Sequence, residues 1–384
     1  MSPNLCRLAG ASPAALALAL AAVPALAQSF DATGNVVSGL ATITTLPNQT
    51  QVTIDSPEVV INWFPNDVSN SGPILFQPGG TTAIFDTFVS SNVTDYVVLN
   101  RIYPTSPVGA PINQPVRFAG TVESRVQGTP GRGNLWFYSP TGIIIGNGAA
   151  FNVGSLVLTT STIDTTGGLF GPGNTIRFAG PTAPASFVQV DPTASLTVGA
   201  GGNPSYIALV APRIVQSGTI DANGQVALVA AETADISINA GLLDIVVTQG
   251  SGDANGIVHS GNTTGAASTA IGDIQQIQFV AIPKNTAMTM LLSGSIGYVP
   301  ATTAADDGSA IILSAGVAAN IPQATQDLGL GNMAIANTAF RNVVNGAASN
   351  TVDILPVAGL VDFQAGGTLT AGLALNAIAE GGEA

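Results

Sequence analysis

Residues able to do chemistry are few, and their spacing argues against most reactions. His259 is the only histidine, Cys6 the only cysteine and Lys284 the only lysine. A Ser-His-Asp or Cys-His site would have to use His259. It lies in a Gly/Ser/Asn-rich run and is expected to be an exposed loop residue. A zinc site needs several His or Cys ligands, which the chain does not supply. Asp306 and Asp307 are an adjacent acidic pair, but followed by Gly308 they read as a turn and not as the paired carboxylates of a glycan-cleaving site. Asp253, Asn255 and Gly256 resemble part of a calcium loop without its distal glutamate. Gly128–Gly133 is glycine-rich, but Arg132 and Gly133 stand where a phosphate loop needs lysine and a hydroxyl, so a surface hairpin is expected. No catalytic residue, cofactor-binding residue or metal ligand is assigned. Trp63 and Trp136 are expected to point into a core.

Composition narrows the class further. The 384 residues include 45 Gly and 24 Pro, with 46% hydrophobic and only 8% charged residues. Disordered chains carry more charge and fewer aliphatic side chains. Helical proteins need charged helix formers that are scarce here. Thr, Asn, Gly, Val and Ile suit strands and turns. The net charge of −13 argues against nucleic acid as a partner, since phosphate contacts need clustered Lys or Arg. Arg117, Arg125 and Arg132 come nearest to a cluster and are read as solvated or edge-protecting charges.

Residues 1–27 read as a secretory signal. Arg7 supplies the positive start, Ala14–Val23 the apolar stretch, and Ala25-Leu26-Ala27 the small-residue site, with cleavage between Ala27 and Gln28. Cys6 precedes the apolar stretch, so the mature chain is expected to contain no thiol and no disulfide. A chain threaded unfolded through a pore gains from that, and a stacked fold needs no staple in any case.

The elements that would position any site are short strands. Val59–Trp63, Ile74–Gln77 and Tyr96–Leu99 are broken by Pro and Gly, and Ile102–Pro115 is a loop. Ile207-Ala208-Leu209-Val210-Ala211 returns nineteen positions later as Val226-Ala227-Leu228-Val229-Ala230. That period is near the ~20-residue end of solenoid repeats. It predicts an all-β solenoid with an N-terminal cap over Gln28–Asp55 and extra-helical hairpins and loops. Residues 247–275 read as a loop insertion, Ala334–Val344 as a short helix and Leu373–Ala384 as a frayed tail.

The densest stretch is Gly133–Val153. Leu135–Tyr138 and Ile143–Ile145 flank the turn Ser139-Pro140-Thr141-Gly142, where proline presets the bend and glycine accepts a positive φ. This segment resembles the turn motif of two-partner-secretion exoproteins such as filamentous haemagglutinin, in which asparagines stand where this chain has Ser139 and Thr141. Ile61-Asn62-Trp63, Leu99-Asn100-Arg101-Ile102 and Val153-Gly154-Ser155-Leu156-Val157 resemble further motifs of that family, in the same order.

With this resemblance added, the all-β solenoid is expected to be a right-handed parallel β-helix. The resemblance implies a haemagglutinin-type secretion domain over 28–239, with β-helix coils continuing over 240–384. It implies export from a Gram-negative cell across the outer membrane, to the cell surface or medium, through a dedicated transporter whose periplasmic POTRA domains recognise the domain. By resemblance, Asn62, Asn100, Arg101, Ser139, Pro140, Thr141, Gly142 and Ile143 shape or present the recognised region. Asn100 is read as either a strand-ending corner residue or a docking residue, and Arg101 as either a carboxylate partner or a docking residue. The implied role is adhesion, to glycans or proteins of host or neighbouring cells, without catalysis and without a cofactor. Two alternatives stay open: a transporter-independent structural or carbohydrate-binding β-helix, and a polysaccharide-processing enzyme.

Overall fold

The computed structural model describes residues 28–68, 71–105, 109–180, 185–200, 205–239, 242–265, 276–284, 287–298, 310–316, 331–343, 360–365, 369–371 and 375–380. The predicted signal, its cleavage side at Ala27, the Asp306-Asp307 turn and the last residues of the predicted tail lie outside them.

The chain is a parallel β-helix whose coils each contribute a strand to three faces. The first face runs through Glu58–Pro65, Val97–Ile102, Asn134–Tyr138, Ser155–Thr159, Ser205–Ala211, Gly224–Asn239, Gln276–Ala281, Ala310–Ala315 and Leu360–Ala365, each parallel to the last. The second face begins with Ile74–Gln77, Val116–Phe118 and Ile143–Ile145. The third begins with Gln49–Ile54, Thr82–Thr87, Thr121–Val126 and Ala150–Val153. The nineteen-residue repeat is one coil, since Ile207 pairs with Val226 and Ala211 with Ala230 in unbroken register. Other coils are longer because segments are inserted at the corners.

Strand alternation creates two cores. Inward positions stack Val59, Val98, Leu135, Leu156, Ile207 and Val226 in one row, all fully buried. Each such side chain gains about 1.5–3 kcal/mol only when the neighbouring rung covers it. Outward positions of the first face are apolar too. Leu99, Trp136, Val157, Ala208 and Ala227 form a second core beneath a small outer sheet. That sheet joins Thr175–Phe178 to Ala231–Asn239 and then to Leu242–Gly250, all antiparallel. Trp63 lies in the inner core and Trp136 in the outer one.

Several sequence expectations differ from the structure; among them, Leu375–Glu380 in the predicted frayed tail is a strand paired parallel with Thr338–Val343. The stretch 247–275 is largely ordered pairing: Leu242–Gly250 closes the outer sheet, and Ile257–His259 and Asn262–Gly265 extend the second and third faces. Small and polar residues fill it because the outward positions are wet and Thr is at home in strands. Residues 266–275 are outside the described set. Gly331–Val343 is a strand where a helix is expected. Met333 and Ile335 alternate inward against Met290 and Leu292, so the two-residue period wins over the weak helical spacing. Arg117 and Arg125, read as solvated or edge-protecting charges, stay partly exposed and pair with Asp191 and Glu123.

The N-terminal end is closed only in part. Ala32–Ser38 pairs antiparallel with Glu58–Pro65, and Ala41–Leu46 with Gln49–Ile54. Gly34 is required there, because a Cβ would lie 2.6 Å from the Trp63 ring.

Candidate functional site

Asn62 and Arg101 are direct register partners on the outward side of the first face, and Arg101 is in turn opposite Tyr138. These three residues form one row across adjacent coils. The Arg101 guanidinium donates to Thr165 Oγ1 at 2.9 Å, a contact supplied by the segment inserted between the fourth and fifth strands of this face. No acid pairs with Arg101 among the described residues. Asn62 Oδ1 is buried without a hydrogen-bond partner.

Beside this row lies a groove of about 280 Å3 lined by Val37, Glu58, Val60, Arg101, Thr165 and Leu169. Glu58 forms one wall, its Oε2 accepting from the Leu169 N–H at 3.0 Å. The groove thus carries an acid and a base over an apolar floor.

Asn100 points the other way. It is fully buried in the inner row between Ile61 and Phe137. Its Oδ1 accepts from Trp63 Nε1 at 2.9 Å, and its amide donates to the carbonyls of Val98 and Trp136 at 3.3 Å each. It stands inside the strand Val97–Ile102, so it does not end a strand at a corner. Its alternation parity, two residues from Val98 and Ile102, already placed it inward.

The turn following Tyr138 carries the chain to the second face. Pro140 and Thr141 form the turn, and Gly142 has φ +132°. A Cβ at Gly142 would come 3.0 Å from Pro115 and 3.2 Å from the Phe187 carbonyl. Thr141 Oγ1 donates to the Gln114 carbonyl at 2.6 Å, Val116 N–H to the Gly142 carbonyl at 3.0 Å, and Ser139 N–H to the Thr159 carbonyl at 3.1 Å. Ser139 and Ile143 are buried. The turn is therefore locked between neighbouring coils. Of the eight motif residues, Asn62 and Arg101 meet on the outward side of the first face, Asn100 faces the interior, and Ser139–Ile143 round the corner.

His259 corrects the expectation of an exposed loop. It ends the strand Ile257–His259 and is 1% exposed. Nδ1 lies 2.7 Å from the Ser293 carbonyl, which can only accept, so Nδ1 carries the proton and Nε2 accepts from Thr263 Oγ1 at 3.0 Å. The ring centroid is 5.3 Å from that of Phe279. Burial disfavours the imidazolium and pulls its pKa down to about 4. Alternation in Ile257-Val258-His259 is the sequence signal for this inward position. The described residues contain no group of three or more His, Cys, Asp or Glu able to hold a metal ion.

Two comparisons bear on this geometry. The chain matches the model of the TPS secretion domain over residues 31–314. The crystal structure of the filamentous hemagglutinin secretion domain is similar, with TM-score 0.51 and 16% identity, covering 89% of this chain and 97% of that one. The HMW1 secretion domain from Haemophilus influenzae gives TM-score 0.43 and 17% identity, covering 90% of this chain and 97% of that one. No curated protein matches the sequence.

Proposed function

The chain belongs to the TPS secretion domain family, and on that premise we propose that it is a non-enzymatic surface exoprotein whose N-terminal coils are recognised by an outer-membrane transporter. The observation that carries this reading is the extent of the match, 31–314, which runs from the cap strand through to Ala310–Ala315. The exported form begins at Gln28, after removal of the signal ending at Ala27.

The transporter's periplasmic POTRA domains read the first three coils. Arg101, which has no acid partner among the described residues, and the groove beside it offer a cation on the outward side, next to Asn62 in register. Asn100 and Ser139–Ile143 act by shaping that surface, since Asn100 is buried and the turn is held by neighbouring coils. Once outside, the rod serves adhesion, presenting its polar third face to glycans or proteins of other cells.

Export decides the matter. With the transporter gene intact, the full chain is expected in the medium or on the cell surface. With the gene deleted, it is expected to stay in the periplasm. Undiminished export without the transporter refutes the reading and favours a self-sufficient β-helix.

A further inference from the structure

The N-terminal end of the rod is an open mouth. A cavity of about 310 Å3 there has Phe30 and Trp63 as its floor and Gly34, Ile43 and Thr45 along its walls. Ala32, Val36, Ala41 and Ile43 pack on the inner core yet remain only partly buried. The strands Ala32–Ser38 and Ala41–Leu46 each have a neighbour on one side only. Native sheets protect such edges with charge or proline, but residues 32–46 contain neither. Every large apolar side chain standing exposed among the described residues lies between Val37 and Val89, with Leu40 67% and Val89 80% exposed.

Charge points the same way. Residues 28–100 hold six acids, Asp31, Asp55, Glu58, Asp67, Asp86 and Asp95, and no Lys or Arg. The chain that builds this end therefore carries acids and no base from Gln28 up to Arg101, which lies in the separate groove beside Glu58.

We propose that the mouth is a strand-addition site, taking an extended segment of the transporter that has an apolar residue for the cavity and basic flanks for the acidic rim. Backbone pairing to Ala41–Leu46 supplies affinity, and the cavity and charge supply selection. This rests on the transporter reading above and adds to it a second contact, distinct from the Arg101 groove. A second copy of the chain fits poorly. It offers the same concavity and the same negative charge, so the space stays unfilled and the charges repel.

The test uses the full mature chain and the purified transporter whose loss stops export. Thr45 lines the mouth and, like Thr44, is exposed, so substitution there leaves the fold intact. Thr45→Trp lays a ring across the cavity and is expected to weaken binding at least tenfold. Thr44→Lys is expected to weaken it similarly by repelling the basic flanks, whereas Thr44→Glu leaves it equal or tighter. A thiol photoprobe on Thr42→Cys, unique once Cys6 has left with the signal, is expected to mark a basic-flanked transporter segment. Equal binding by all three binding variants, with wild type still bound, overturns the mouth and spares the transporter reading. A wild-type chain that does not bind overturns both. A self-dimer that Thr45→Trp dissociates also overturns the proposal.

Discussion

Trp63 and Asn100 meet inside the first two coils, indole Nε1 to amide Oδ1 at 2.9 Å, with 1% and 0% of their surfaces exposed. The pair explains how a polar residue survives in an otherwise apolar row. Asn100 satisfies the one polar atom of a large ring, and its own amide reaches two strand carbonyls. Asn100, read from the sequence as either a corner residue or a docking residue, is a buried tie between rungs.

Asn100→Ala should therefore leave the Trp63 N–H buried and unpaired. The expected loss is about 1–3 kcal/mol, read as a lower urea midpoint with a changed tryptophan emission. An unchanged midpoint would mean the indole finds another acceptor.

Arg101→Ala should behave in the opposite way. Its bond to Thr165 is partly exposed, so stability should move by less than about 0.5 kcal/mol. Binding to the transporter should fall in a pull-down with the purified transporter. Loss of folding without a specific loss of binding would assign Arg101 to the scaffold.

Gly142→Val should strain the turn at φ +132° and press its Cβ toward Pro115 and the Phe187 carbonyl. A cost of roughly 1–3 kcal/mol is expected in thermal or chemical unfolding. Wild-type stability in this variant would contradict the locked turn.

His259 predicts an acid-dependent loss of stability. Its pKa falls from 6.5 in the unfolded chain to about 4 in the folded one, so the unfolded chain binds more protons between those values. Its neutral form contributes fully above about pH 6.5, and that contribution shrinks as pH falls toward 4, by an amount on the order of 3 kcal/mol. Replacing His259 by Leu should remove this part of the slope. Unfolding midpoints measured from pH 7 to 4 for both proteins, if parallel, would rule the effect out.

Much of the fold was legible because the β-helix is a local code. Two-residue alternation, turn glycines and the nineteen-residue return of Ile207–Ala211 at Val226–Ala230 all reflect contacts between sequence-adjacent coils. The turn at Ser139–Gly142 was readable for the same reason. The loop expected over 247–275 was misread because its inward residues, Ile257, His259 and Thr263, are diluted by small polar neighbours. The helix expected at Ala334 failed because weak spacing cannot compete with rungs already in place at Met290 and Leu292.

The sequence alone determined the strand period, the strand-and-turn composition, the poverty of catalytic groups and the order of the motifs. Only the tertiary structure decided which motif residues meet across coils. Register with neighbouring coils, some 40 residues away, brings Asn62 beside Arg101 on the outward side and sets Asn100 between Ile61 and Phe137 in the inner row. The second core beneath the outer sheet and the open N-terminal mouth were likewise decided there. Both depend on which insert covers which face, and packing across distant segments leaves no periodic trace in the chain.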